Sequence, residues 1–493
     1  MIFDYFRELI LNNFGHNPTT QQQEVVQALT EFILPVDKST SGQINDQVFI
    51  LRGYAGTGKT SLVSALVRTM EQLERRCVLM APTGRAAKVL SLYSGHEAFT
   101  IHKRIYRQKS IEDDTVFSMG YNTLKNALFI VDEASMISND ASNTVYGTGR
   151  LLDDLIQFVY SGEGCRLILL GDTAQLPPVG NTKSPALQPE VLTGYGLDVT
   201  CMTLSQVVRQ RNLSGILQNA TSLRQMADPL CPSDISSSMG IPPIHFSSDV
   251  QNVPGDELIE TLSNCYHNYG TDDTIVVCRS NKRAHIYNMG IRNQILDREE
   301  ELASGDMIMV VKNNYFWMKA DSSNEILTHS GELEGARSSF LANGDIAQVL
   351  RVRNERELYG FRFADCELRF PDYDNMELTA TVLLDTLHTE APALPHEMNE
   401  QLWNRVLEDY ADIPYKKDRM KKMKEDPYYN ALQIKYAYAV TCHKAQGGQW
   451  SQVFIDQGYV TEEMIGLDYY RWLYTAFTRA TDNLYLVNWQ QDE

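Results

Sequence analysis

Residues 53–60 read Gly53-Tyr-Ala-Gly-Thr-Gly-Lys-Thr60, a glycine-rich turn closed by a lysine and a hydroxyl. An apolar run, Val48-Phe-Ile-Leu51, leads in, and a helical pattern, Ser61-Leu-Val-Ser-Ala-Leu-Val-Arg-Thr-Met70, leads out. This strand–loop–helix setting constrains the fold more than any other stretch. Glycine tolerates the left-handed backbone that aims consecutive N–H groups at one point, and a helix beginning there adds partial positive charge. The spacing G-x-x-x-x-G-K-[ST] is met at every fixed position, which predicts a cradle for nucleotide phosphates. Lys59 would bridge the terminal phosphates, and the Thr60 hydroxyl would complete the shell of a Mg²⁺ ion. Gly53, Ala55, Gly56, Thr57, Gly58, Lys59, Thr60 and Ser61 are therefore the loop's candidate ATP-binding positions. The bland alternative is a flexible glycine turn.

Two further strand ends supply matching chemistry. Leu128-Phe-Ile-Val131 ends in Asp132-Glu133, where Asp132 can hold Mg²⁺ through water and Glu133 can accept a proton from an attacking water. Standing alone, such a pair is equally an ordinary helix start. Leu167-Ile-Leu-Leu170 leads to Gly171-Asp-Thr-Ala-Gln-Leu-Pro-Pro-Val179. Gln175 could sense the γ-phosphate or orient water, while Leu-Pro-Pro reads as a rigid turn.

The first four apolar runs, at 48–51, 77–80, 128–131 and 167–170, are separated by helical patterns; similar runs return at 275–278, 453–455 and 484–487. Continuous apolar runs fit strands buried on both faces of a parallel sheet, so the chain reads as α/β with one sheet early and another late. Residues 301–430 differ, with short strand-like pieces after turn dipeptides, a helical face at Leu402, Trp403, Val406, Leu407 and Tyr410, and six basic residues in the nine positions 416–424. That basic run is either a nucleic-acid brace or a solvated helix face. The eight cysteines, at 77, 165, 201, 231, 265, 278, 366 and 442, include no CxxC pair, so they read as small buried apolar residues rather than a zinc or disulfide framework. The net charge of −19 argues against indiscriminate binding to polyanions but leaves room for a local basic channel. With neither a signal pattern nor an 18-residue apolar stretch, the expectation is a cytoplasmic, nucleoid-associated protein without membrane contact.

Together these motifs resemble superfamily 1 helicases, particularly the RecD-like, Dda-like and PIF-family branch, over roughly residues 18–487. Gly-Asp-x-x-Gln-Leu-Pro-Pro-Val is especially characteristic. Pro18-Thr-Thr-Gln-Gln22 resembles the adenine-reading glutamine motif, aligned on Gln22. Ala81-Pro-Thr-Gly-Arg-Ala-Ala87 and Thr100-Ile-His102 resemble strand-contacting motifs. Val207-Val-Arg-Gln210 resembles the motif with a first arginine finger, Arg209. Thr441-Cys-His-Lys-Ala-Gln-Gly447 and Tyr474-Thr-Ala-Phe-Thr-Arg-Ala480 resemble the last two, with Arg479 as second finger and Gly447 beside the nucleotide.

The resemblance implies tandem RecA-like P-loop NTPase domains with a pin and an SH3-like β-rich insertion. The first RecA-like domain would take residues 1–102 and 125–195, the pin 103–124, the second RecA-like domain 196–300 and 431–493, and the SH3-like insertion 301–430. It implies Lys59, Glu133, Gln175, Arg209 and Arg479 as catalytic residues, Thr60 and Asp132 at the metal, and ATP and Mg²⁺ as cofactors. Single-stranded DNA would be contacted by Pro82, Thr83, Thr100, His102, Asn281, Thr441, His443 and Lys444, residues able to grip phosphates without reading bases. A monomer moving 5′ to 3′ along single-stranded DNA and opening duplex forks is the activity implied. Gln449 stands where the branch commonly has an acidic residue, and the pin, carrying Lys103, Arg104, Arg107 and Lys109, is short. Two other readings are an RNA helicase or translocase of the same superfamily and a nucleotide-switched binding protein or P-loop kinase. The second would leave the arginine-bearing motifs of the later half without use.

Overall fold

The computed structural model describes residues 2–34, 46–108, 117–140, 147–207, 214–227, 240–314, 316–319, 341–373 and 375–489. They form two compact units. The first comprises Met1–Asp249 with Gln446–Gly448 and Thr461–Thr478, and the second comprises Val250–Ala445 with Gln449–Val460 and Arg479–Glu493.

In the first unit, strands β1 (Gln47–Gly53), β2 (Cys77–Ala81), β3 (Ala98–Thr100), β6 (Leu128–Val131), β7 (Arg166–Gly171) and β8 (Asp198–Leu204) build one parallel sheet in the order β3-β2-β6-β7-β1-β8. Between β3 and β6, β4 (Tyr106–Gln108) and β5 (Phe117–Met119) form a separate antiparallel pair. Val48, Phe49, Ile50 and Leu51 are wholly buried, as the continuous apolar run requires of a central strand. The helices Ile2–Phe14, Thr20–Ile33 and Lys59–Gln72 contribute Phe6, Val25 and Leu66 to the same core as Phe49 and Leu51. Because β6, β7 and β1 are neighbours, the loops at their carboxyl ends emerge side by side. Ligand sites of open α/β sheets lie at such ends.

The boundary expected at 195/196 is corrected. Strand β8 pairs with β1 from Gln47↔Asp198 to Gly53↔Leu204, so residues 198–204 complete the first sheet. Asp198-Val-Thr-Cys-Met-Thr-Leu204 is a half-exposed edge strand, not an apolar run, and period-2 alternation is a weaker signal in so short a piece.

In the second unit, β9 (Val250–Val253), β10 (Thr274–Cys278), β16 (Ala439–Thr441), β17 (Trp450–Asp456) and β18 (Ala480–Val487) form a parallel sheet in the order β16-β10-β17-β18-β9. Strands β11 (Met307–Val310), β12 (Ile346–Leu358), β13 (Phe361–Phe370), β14 (Met376–Leu383) and β15 (Leu432–Tyr436) close a small barrel, in the place where an SH3-like insertion was expected. Its closing strand lies beyond residue 430, the expected end of the insertion; β15 pairs with both β11 and β14. Helices His396–Asp409 and Lys416–Lys424 pack on the barrel through Leu402, Val406 and Met423 against Phe361 and Phe363.

The seven cysteines among the described residues are free thiols; Cys231 lies outside them. Among the described residues no helix is long and apolar enough to cross a membrane.

Candidate functional site

The loop after β1 has the conformation its glycines predict. Gly56 and Gly58 adopt φ of +76° and +83°, in the left-handed region. At Gly53 a Cβ would stand 2.8 Å from the Lys59 side chain in its folded-back position, so a side chain there would displace the lysine. Lys59 opens the helix Lys59–Gln72 and folds back, its ammonium donating to the carbonyls of Gly53 and Tyr54. The Thr57 hydroxyl donates to the Tyr54 carbonyl at 2.8 Å. The result is a tight turn at a helix N-terminus with a cation over it, the arrangement that receives phosphate oxygens.

Gln22 is buried beneath this loop. Its side-chain oxygen accepts the Thr19 N–H in a capping box, and its amide donates to the Thr57 carbonyl at 3.0 Å. Neighbouring Gln21 instead accepts the backbone N–H groups of Ser205 and Gln206.

Asp132, after β6, accepts the Glu133 N–H at 2.8 Å, and Glu133 takes φ +51°. Burial pushes the Asp132 carboxyl above its ordinary value, opposed by that hydrogen bond and by the Lys59 charge. A buried carboxylate of this kind gains from a divalent cation, and the oxygens of Asp132 and Thr60 are hard donors, so the pair fits Mg²⁺. After β7, Gln175 is 7% exposed and its side-chain oxygen is buried without a hydrogen-bond partner. A buried orphan acceptor costs about 1–3 kcal/mol. It is a receptor for a donor such as water.

A residue that the sequence reading placed in a motif but gave no role joins these loops. Tyr474, on the helix Leu467–Phe477, is 1% exposed; its hydroxyl donates to Asp172 at 2.6 Å and accepts the Ala55 N–H at 2.9 Å. At the next position, the Thr475 hydroxyl accepts the Leu176 N–H at 2.9 Å, and Gln446 donates to the Leu176 carbonyl at 2.8 Å. The helix is thus bonded both to the phosphate loop and to the Gln175 loop.

The strand-contact candidates fall into two groups. In the first unit, Thr83 and Thr100 are N-caps, their hydroxyl oxygens accepting the N–H groups of Ala86 and Lys103. Pro82 precedes Thr83 in the turn after β2. Both hydroxyls remain able to donate, beside helix N-termini. Burial lowers His102 to about 4, so its imidazole is neutral. Gly447, expected beside the nucleotide, packs against Thr83 and Ala86, where a Cβ would come within 2.9 Å of the Ala86 side chain.

In the second unit, Asn281, Thr441 and Lys444 line one cavity together with His285, Lys435 and Tyr436. Burial lowers both lysines to about 8, and the Lys435 charge adds to the effect at Lys444. Lys435 also donates to the Thr389 carbonyl. His443 is outside the lining of this cavity, and burial lowers its imidazole too. Lys435 and His285 escaped the sequence reading because neither belongs to a motif. Arg479 belongs to the second unit and is 3% exposed. Arg209 and Lys109 lie outside the described residues.

An AAA domain family matches residues 40–230, and a UvrD-like helicase C-terminal domain matches residues 436–487. The ATP-dependent RecD2 DNA helicase of Deinococcus radiodurans is 24% identical over 447 residues, 89% of this chain and 46% of that protein. The ATP-dependent DNA helicase dda of Enterobacteria phage T4 is 24% identical over 294 residues, 57% of this chain and 61% of that protein. The chain therefore spans less than two thirds of either relative. A crystal structure of Pif1 helicase from Bacteroides in complex with ADP-AlF3 and ssDNA is 15% identical, with a TM-score of 0.42 over 96% of this chain and 93% of that one.

Proposed function

We propose, from the premise that this chain belongs to the superfamily 1 helicases of the RecD-like, Dda-like and PIF-family branch, that it is an ATP-driven DNA helicase moving 5′ to 3′ on single-stranded DNA. The observation that carries the reading is the adjacency of the parallel strands β1, β7 and β6, whose following loops, with Lys59, Gln175 and Asp132, leave from the same carboxyl end of the sheet.

Thr60 and Asp132 would hold Mg²⁺, which when bound offsets charge on the terminal phosphates. Lys59 exchanges its loop carbonyls for phosphate oxygens, and the N–H groups from Gly56 to Ser61 cradle them. Gln22 braces the loop from below and would read the adenine. Glu133 takes the proton of the attacking water, while Gln175 orients that water with its unpartnered oxygen. Arg209 and Arg479 supply positive charge as the γ-phosphoryl group leaves, an effect worth roughly 10³–10⁵ in rate in related chemistry.

Pro82, Thr83, Thr100 and His102 contact the strand's phosphates from the first unit. Asn281, Thr441, His443 and Lys444 do so from the second, joined by Lys435. Cation-lined contacts of this sort grip the backbone irrespective of sequence. The hairpin of β4 and β5 serves as the pin that parts a fork. The chain works as a monomer in the cytoplasm, on the nucleoid.

ATP hydrolysis measured with single-stranded DNA, with RNA and without either tests the assignment, beside unwinding of duplexes tailed at the 5′ or 3′ end. Stimulation by DNA and unwinding from the 5′ tail are expected; stimulation by RNA alone overturns the DNA reading. Lys59→Ala abolishes turnover, and Arg479→Ala retains nucleotide binding but stops hydrolysis; substantial turnover by the latter removes Arg479 from its role.

A further inference from the structure

The helix Lys416–Lys424 stands apart from the sites above. It carries six cationic side chains against one acid, Asp418, in a chain of net charge −19. One face anchors it: Met423 is fully buried in the cluster with Phe361, Phe363 and Val406. The turn that follows is also fixed, since Asp426 accepts the N–H groups of Tyr428 and Tyr429 and the Tyr410 hydroxyl, all at 2.8 Å. Arg419 folds back onto the Ile413 carbonyl at 2.9 Å. The helix is therefore a rigid ridge on the barrel rather than a loose tail.

Its outward side is basic. Lys416, Lys417, Lys421 and Lys422 are exposed. Lys422 meets Glu425 at 3.3 Å, whereas Lys416, Lys417 and Lys421 have no ion pair among the described residues. Positions 417, 421 and 424 follow the i, i+4, i+7 spacing of a single stripe turned away from Met423. Like charges at this spacing repel and destabilise a helix, and the last-turn lysines recover only part of that through the helix dipole. A stripe of fixed, mutually repelling cations gains most from a polyanion.

We propose that this ridge docks the phosphate backbone of duplex DNA, a contact separate from the strand-binding residues and resting on the helicase reading above. Sites for single strands combine charge with several aromatic stacking platforms, whereas the helix itself carries no ring and the exposed Tyr415 at its N-cap stands as a single one. A duplex offers the denser phosphate array, about one charge per 1.7 Å of axis. The ridge thus holds the unopened part of the substrate electrostatically.

The test compares the unaltered chain with a Lys416→Gln/Lys417→Gln/Lys421→Gln variant, by fluorescence anisotropy from about 50 to 200 mM salt. The probes are a single-stranded oligonucleotide and the same strand carrying a duplex. On the duplex-bearing probe the variant's slope of log affinity against log salt falls by about 2–3, since each phosphate that a lysine neutralises adds about 0.9 to it. Its affinity for the single strand and its DNA-free ATPase stay unchanged. Asp418→Asn, which removes the one acid, strengthens duplex binding. Unchanged slopes in the triple variant overturn the proposal, as does an equal loss on the single strand, which would make the ridge a strand contact. If the unaltered protein binds neither probe, the helicase reading itself fails, and the proposal with it.

Discussion

Tyr474 and Asp172 share a buried 2.6 Å hydrogen bond between phenol and carboxylate, closed off from water at 1% and 2% exposure. Burial, followed by the Asp172 charge, holds the Tyr474 phenol well above its ordinary value, so the hydroxyl keeps its proton and donates. Its oxygen also accepts the Ala55 N–H. A single hydroxyl therefore fixes the start of the phosphate loop relative to the carboxylate three residues before Gln175.

Tyr474→Phe keeps the ring and deletes both bonds. Asp172 loses a donor and the Ala55 N–H loses an acceptor, each worth about 1–3 kcal/mol when left buried and unpaired. We expect a loss of about 2 kcal/mol in urea denaturation and a several-fold rise in the KM for ATP. An unaltered KM with the same loss of stability would assign the hydroxyl a purely structural part.

Gly58 is tied to Gln22 in a way that a double-mutant cycle reads directly. Its φ of +83° disfavours any side chain, and an added Cβ would stand 2.6 Å from the Gln22 amide nitrogen. Gly58→Ala should cost about 2–3 kcal/mol, combining about 1–2 kcal/mol of left-handed strain with the clash. Gln22→Ala removes the clash along with the bond to Thr57. The double variant should therefore be more stable than the sum of the singles predicts, by about 1 kcal/mol. Strict additivity in urea midpoints would show that the two residues do not press on each other.

The phosphate loop was legible because its chemistry is local: the glycines, Lys59 and Thr60 lie within eight consecutive positions. The parallel sheets were legible for the same reason, most central strands being continuous apolar runs. The role of Tyr474 was not, although it opens a recognised motif, since it meets Ala55 and Asp172 across 419 and 302 residues of sequence. Lys435 was hidden by ordinary alternation in β15, where Leu432, Ile434 and Tyr436 face one side of the strand and nothing marks what the other side meets. The closing of the barrel by β15 and the edge pairing of β8 are likewise long-range matches between unremarkable short strands.

Asp306 was equally silent in sequence, yet it welds the barrel to the preceding segment. It is wholly buried and accepts from both Arg292 and Arg298, at 3.0 and 2.7 Å, from the Tyr438 hydroxyl at 2.8 Å and from the Ala303 N–H at 2.8 Å. Asp306→Asn leaves Arg292, itself 1% exposed, facing a neutral amide. Breaking one side of a buried ion pair typically costs about 3–5 kcal/mol. Urea denaturation should show the second unit melting early, with nucleotide binding by the first unit retained below that transition. A midpoint unchanged from the parent protein would mean that the guanidinium finds another partner.

The proposed strand contact through the cavity lysines predicts a distinctive pH dependence. Lys435 and Lys444 lose their protons near pH 8 rather than at the ordinary 10.5, because burial disfavours their charge. His285, also facing the cavity, is held below its ordinary value by burial and by the charges of Lys435 and His388, with Glu390 opposing. A phosphate contact needs the ammonium form, so affinity for single-stranded DNA should fall as pH rises from about 7 to about 9. Stability should move the other way. Between about pH 8 and 10.5 the unfolded chain binds more protons at these lysines than the folded one, so folding gains as pH rises through that window. Lys435→Gln/Lys444→Gln should flatten both profiles. Strand affinity that stays level across that rise in the parent protein would remove the two lysines from the strand contact.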